Sequence, residues 1–182
     1  MRIVQRRKIL AVAAVILLGL HETSHAIDSG SIEFAAGNRI QVVRVGAQWD
    51  WQRQWWRFNE THIGGYWDFS VGRWRENRFR NVVGDTENIF DISLTPVFRL
   101  QRNSKTGLYA ETGIGLHYLP SSYNNNGRQL SDNLQFGSHI GAGYVFGNRL
   151  DIGLSIQHMS NGGIRKPNDG VNFAVARASY RF

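Results

Sequence analysis

Residues 149–182 read RLDIGLSIQHMSNGGIRKPNDGVNFAVARASYRF. Apolar and polar side chains alternate on both sides of a turn-forming stretch, which predicts two antiparallel strands because successive side chains point to opposite faces. In the first strand the isoleucine and leucine face also holds His158 and Ser160. In the second strand the alanine face holds Asn172, and Arg177 lies on the other face. If the apolar face meets lipid, His158, Ser160 and Asn172 project outward toward a membrane.

The remaining sequence repeats this pattern, with runs of about ten alternating residues separated by Gly, Asn, Asp and Ser. This predicts an all-β fold, an eight-stranded antiparallel transmembrane β-barrel, which has no open edge and can therefore lie in hydrocarbon. Eight strands leave an interior only wide enough for side chains, which argues against a pore. The predicted strands are 31–38, 39–51, 61–74, 88–101, 107–118, 134–146, 149–160 and 170–182.

Two aromatic clusters favour a membrane setting, because aromatic girdles are expected at both interfaces of a membrane barrel. The alternative is a soluble barrel with a core of buried tryptophans. The clusters are Trp49, Trp51, Trp55 and Trp56 around one end of the second strand, and Tyr66, Trp67 and Trp74 in the third.

The N-terminus carries the pattern of a secretory signal. Four basic residues precede an apolar run at 9–20, and Ser24-His25-Ala26 supplies small residues for cleavage. We therefore expect a signal peptide at 1–26 and one barrel domain at 27–182. Without the signal, 17 basic and 13 acidic residues leave a net charge of +4 rather than +7. An exported chain of this charge suits anionic lipid head groups better than nucleic acid, and with no cysteine it carries no disulfide.

The spacing of His158 and Ser160 indicates nucleophilic chemistry. Serine needs an adjacent base to take its proton, and imidazole titrates near neutral pH. A third group must orient the imidazole, and donors must stabilise an oxyanion on an ester carbonyl. The candidate donors are the Gly163 N–H and the Asn168 side chain, in the loop that follows. The other histidines have no neighbouring nucleophile, and Glu111 is expected inside the barrel among paired charges.

The segment HMSNGGIRKPNDG at 158–170 closely resembles the signature of the outer-membrane lipid A 3-O-deacylases, the PagL family. The resemblance extends over the mature chain. The matching segments are WDW at 49–51, WW at 55–56, GYWD at 65–68, TPVF at 95–98, ETGIG at 111–115 and IGAG at 140–143.

The resemblance implies an integral outer-membrane enzyme, a serine esterase that hydrolyses the ester at the 3 position of lipid A (the lipid anchor of lipopolysaccharide) in the outer leaflet. It assigns His158 as the base and Ser160 as the nucleophile, and makes Asn161 a motif position needed for activity. Gly163 and Asn168 resemble the oxyanion-hole pair. It also implies a homodimer and neither metal nor cofactor.

One position departs from the family. The acidic member of the triad corresponds to Asn172, which can accept a bond from the imidazole but brings no charge. We expect Asn172 to orient His158, as amides do in Cys-His-Asn enzymes. Asp169, in the loop, is the nearest acidic substitute. Two other functions stay open: an outer-membrane phospholipase-type esterase and a catalytically dead structural barrel.

The basic pair Arg165 and Lys166 lies in the loop predicted to be extracellular. Their side chains could meet lipid A phosphates through charge-assisted hydrogen bonds. The other interpretation is a solvated basic loop.

Overall fold

The structure is a computed structural model that describes residues 26–182. The predicted signal peptide, apart from its last residue, lies outside the described residues. Within residues 26–182, no helix is long and apolar enough to cross a membrane.

The described chain is built from strands joined by turns and loops. The strands are β1 Ser29–Gly37, β2 Ile40–Asp50, β3 Trp55–Phe58, β4 Thr61–Glu76, β5 Glu87–Arg102, β6 Gly107–Tyr118, β7 Tyr123–Asn125, β8 Arg128–Leu130, β9 Leu134–Val145, β10 Leu150–Ser160 and β11 Val171–Arg181.

Eight of these strands form a closed antiparallel barrel. The hydrogen-bonded order is β2-β1-β11-β10-β9-β6-β5-β4, and a further pairing of β2 with β4 closes the wall. The short β3 adds to β4, and β7 pairs with β8 as a separate hairpin. The predicted all-β eight-stranded barrel is therefore confirmed, and each wall strand overlaps the segment predicted for it.

The register of the strands shows how steeply they tilt. His158 pairs directly with Asn172 across β10 and β11. Followed the other way round the wall with the same register, through β9, β6, β5, β4, β2 and β1, the row returns at Phe182, one residue past the end of β11. The two positions, 172 and 182, differ by ten residues, which is the stagger that closure of a tilted barrel requires.

The two ends of the barrel differ. The terminal end holds both ends of the described chain, residues 26 and 182, since Ser29 pairs with Arg181. The loop end, opposite to it, holds residues 77–86, 119–133 and 161–170, between the tops of the wall strands.

The outer face of the wall is apolar and the inner face is polar, as the alternation predicts. Arg99 and Arg177 are buried inside, where both bond to Glu111 at 2.8 and 3.0 Å, and Arg99 bonds to Asp151 at 2.9 Å. This confirms the interior position expected for Glu111. The exposed apolar side chains include Ile32, Phe34, Val43, Val45, Phe69, Val71, Ile140, Ile152, Leu154 and Ile156.

The aromatic prediction is only half right. Trp51 contacts Trp55 and Phe98 edge to face at the terminal end, so an aromatic cluster does lie there. Tyr66 and Trp74 were expected in a girdle as well, and this is wrong because both are buried inside the barrel. The indole N–H of Trp74 donates to Asp91 at 3.1 Å, an inner-face partner that a lipid-facing residue would lack.

Candidate active site

A cross-strand pair forms the centre of the site. His158 on β10 lies opposite Asn172 on β11, and both side chains are on the exposed outer face. The His158 Nδ1–H donates to Asn172 Oδ1 at 2.7 Å. With the proton held on Nδ1 by the amide oxygen, the lone pair is on Nε2. The imidazole is therefore in the tautomer that a general base requires.

A glycine lies directly against the imidazole. Gly170 has a φ of +67°, a backbone conformation that glycine adopts without strain. A Cβ at this position would lie 2.7 Å from His158 Cε1. Any other residue would therefore displace the ring. The glycine of the Asp-Gly step thus makes room for the imidazole, a role that the sequence alone did not reveal.

Ser160 ends β10 two residues after His158, so it shares the outer face, and it is half-buried beside its β9 partner Phe136. Within the part of the chain that the structure describes, no hydrogen bond joins Ser160 Oγ to the imidazole. Such bonds are often long in the absence of substrate and tighten when it binds, so this geometry does not argue against the pair.

Asn161 organises the loop that follows. Its side chain is fully buried, its Oδ1 accepts the Gly163 N–H at 2.9 Å, and its Nδ2 donates to the Arg165 carbonyl at 2.9 Å. Its own backbone N–H donates to Asn168 Oδ1 at 3.0 Å. Asn161 thus holds the loop in shape from within.

These bonds also show which polar groups of the loop are already used. Because Asn168 Oδ1 accepts the Asn161 N–H, the Nδ2 of the same amide is the group left to donate. The Gly163 N–H, in contrast, already donates to Asn161 Oδ1. The two donors expected from the sequence therefore differ, since the Gly163 N–H is already bonded within the loop whereas Asn168 uses its oxygen in the bond to Asn161.

The β7–β8 hairpin holds this loop through the following contacts, which we call the clamp. Arg128 Nη1 donates to the carbonyls of Asp169 and Gly170 at 2.8 and 3.2 Å. Asp169 Oδ2 accepts the Gln129 N–H at 2.7 Å, and Leu130 forms a bridge with Asn168. Asp169 is thus part of the clamp, and the imidazole has an amide rather than a carboxylate on Nδ1.

Arg165 and Lys166 are exposed, with Arg165 Nε 3.8 Å from the Asp132 carboxylate. Their side chains therefore remain available to a ligand at the loop end. The contribution of β7–β8 was missed at the level of sequence, although the Asn126-Gly127 step is a strong hairpin signal.

Comparisons with known proteins include the segment that forms this site. A sequence model described as "Lipid A 3-O-deacylase (PagL)" matches residues 41–181. The chain belongs to the lipid A 3-O-deacylase (PagL) family. Its relatives in that family include the lipid A deacylase PagL of Pseudomonas aeruginosa, 30% identical over 91% of this chain and 93% of that protein. PagL of Bordetella bronchiseptica is 33% identical over 52% of each chain.

The fold agrees with this membership. The crystal structure of the outer membrane enzyme PagL matches with a TM-score of 0.72 and 25% identity, over 85% of this chain and 99% of that one. The outer membrane protein Ail of Yersinia pestis, at 12% identity and a TM-score of 0.50, shares the fold alone. The PagL-family assignment made from the motif is confirmed, and the chain is an outer-membrane β-barrel hydrolase of that family.

Proposed function

We propose that this chain is a serine esterase that releases the 3-hydroxyacyl chain from the 3 position of lipid A in the outer leaflet. The observation that carries this is the His158–Asn172 pair, placed on the lipid-facing wall with Ser160 on the same face. Polar groups on that surface are costly even when they bond to each other, so a function is the better explanation of the pair. With the termini periplasmic, the loop end is extracellular and the site lies at the outer rim of the wall.

Acylation begins when Nε2 of His158 takes the proton of Ser160 Oγ, and Oγ attacks the ester carbonyl carbon. The Asn168 Nδ2 group and the Gly163 N–H stabilise the oxyanion of the tetrahedral intermediate. When the C–O bond to the sugar breaks, the imidazolium returns the proton to the departing sugar hydroxyl. The acyl chain is now an ester of Ser160.

Deacylation repeats these steps with water. His158 takes a proton from the water, the hydroxide attacks the acyl carbonyl, and Ser160 Oγ leaves with the returned proton, which frees the 3-hydroxy fatty acid. Asn172 holds the ring throughout, and Asn161 keeps the donor loop in shape. Arg165 and Lys166 are proposed to meet lipid A phosphates. The homodimer implied by the resemblance stays a prediction.

The test is mass spectrometry of lipid A from Gram-negative cells that express the chain. The matched control is Ser138→Ala. Ser138 is the direct β9 partner of His158, so this substitution removes a hydroxyl on the other side of the same imidazole. Wild type and Ser138→Ala should each remove one 3-hydroxyacyl mass, and Ser160→Ala should remove none. Activity in Ser160→Ala would contradict the assigned nucleophile.

The same samples separate the competing functions. A phospholipase-type esterase would release fatty acids without a 3-hydroxyl group and leave lipid A intact. A dead barrel would release neither, although the folded protein is present in outer-membrane fractions.

A further inference from the structure

An arginine cluster on the outer wall is separate from the site described above. Arg73 and Arg75 lie on β4 in the same exposed row as Phe69 and Val71, so their side chains project away from the barrel. Arg39, also exposed, is held at this corner by the bond from the Asn77 N–H to its carbonyl, 2.9 Å long. We call Arg39, Arg73 and Arg75 the β4 arginine patch.

Within the described part of the chain, the guanidinium groups of the patch lack carboxylate partners. Arg73 Nε donates to the neutral Asn88 Oδ1 at 3.1 Å. The direct strand partners of Arg75 are Gln41 and Asn88. Among residues 26–182, no carboxylate forms a salt bridge with any arginine of the patch. Three uncompensated positive charges therefore border an apolar membrane wall.

The stagger of the barrel gives the depth of the patch. Continued with the same register, the row through Asn172 passes β1 and β2 and meets the chain at Asn77, one residue beyond β4 and three strands away. A total stagger of ten residues over eight strands shifts that row by about four residues over three steps, toward the loop end. The residue of β4 at the depth of Asn172 is therefore Arg73, and Arg75 lies just above it.

This depth is where the wall changes from apolar to polar. Phe90, the β5 partner of Arg73, is exposed, and Val71 lies two residues below Arg73. Cationic side chains on the lipid face of a barrel are tolerated near the interface rather than at the midplane. If the active site meets the glycolipid headgroup, the patch is at headgroup level as well.

We infer that the β4 arginine patch binds the phosphate of a second lipid A molecule, held against the wall on a different side of the barrel from the substrate. The planar guanidinium fork suits phosphate oxygens and forms charge-assisted bonds with them. Three of eight strands separate β4 from β11, which is about 135° around the barrel. One headgroup cannot reach both faces, so the ligand is a molecule other than the substrate. The inference rests on the proposed outer-leaflet position of the loop end.

The test uses the Ser160→Ala chain in detergent micelles, so that bound lipid A is not hydrolysed. Native mass spectrometry during titration with bis-phosphorylated lipid A should detect chains that carry two lipid molecules. Adding Arg73→Gln and Arg75→Gln should weaken the second binding step about tenfold, the effect of losing charge-assisted bonds. The matched control, Arg57→Gln with Arg102→Gln, removes two exposed arginines at the terminal end and should leave the second step unchanged.

Three outcomes would overturn the inference. Equal binding of lipid A whose phosphates have been removed would show that phosphate is not recognised. Equal competition by phosphatidylglycerol would show a surface for any anionic lipid. A single bound lipid A at saturation, weakened by the two substitutions, would mean that the patch holds the substrate itself. None of these results depends on deacylation, so failure of the proposed function would appear separately in the cellular assay.

Discussion

At the scale of single residues, Asn172 determines how the imidazole is oriented. Its Oδ1 accepts the His158 Nδ1–H at 2.7 Å. We expect Asn172→Ala to lower kcat/KM by about tenfold or more, because nothing then holds Nδ1 and small misplacements of catalytic groups are costly. Asn172→Glu should retain most of the activity, because a carboxylate oxygen also accepts this bond. The measurement is lipid A deacylation by purified protein.

The added charge itself needs a control. Gln52→Glu places the same charge at the exposed terminal end and should leave kcat/KM unchanged. If Asn172→Ala matched wild type, the cross-strand bond would have no part in catalysis.

Gly170 supplies the second prediction at this scale. Gly170→Ala should lower kcat/KM by about tenfold or more, because the new Cβ displaces the His158 ring and small misplacements of catalytic groups are costly. Gly84→Ala is the matched control, since Gly84 also has a positive φ, +85°, but open space around it. Equal loss in both variants would show that backbone strain, and not contact with the ring, causes the effect.

At the scale of elements, the β7–β8 hairpin positions the catalytic loop through Asp169. We expect Asp169→Ala to lower kcat/KM about tenfold, because the loop that carries Asn168 loses the bond to the Gln129 N–H. Asp169→Asn should retain most activity, since an amide oxygen also accepts that bond. Asp132→Ala, which removes only the exposed contact to Arg165, should have little effect. Failure of the Asn variant to rescue would point to a role of the charge itself.

The wall strands could be predicted from the sequence, but the faces of some of their residues could not. Alternation located every wall strand and placed His158 and Asn172 on one surface, because a period of two leaves little freedom. The girdle assignment of Trp74 used its aromatic character alone. Trp74 is an even number of residues from Asp68 and Ser70 in the same strand, and both of these are buried. Alternation therefore places Trp74 in the interior. The clamp was not predictable, because contacts between two distant loops leave no periodic pattern.

At the scale of the whole molecule, the barrel interior is a scaffold that holds the wall without touching the site. Glu111 is buried and bonded by both Arg99 and Arg177, so removing it leaves two buried charges without their shared partner. We expect Glu111→Ala to lower the free energy of unfolding by about 3 kcal/mol, as measured by urea unfolding in lipid vesicles. Glu60→Ala, at an exposed turn, should change it by no more than about 0.5 kcal/mol.

The same variant tests whether scaffold and chemistry are separable. The catalytic pair lies on the outer face, and Glu111 lies on the inner face of a different strand, β6. Deacylation per folded molecule should therefore match wild type in Glu111→Ala under conditions where the barrel stays folded. A loss of kcat in the folded fraction would contradict this, and would mean that the interior charges act on His158 through the wall. Equal kcat with reduced stability would show that the membrane face alone carries the reaction.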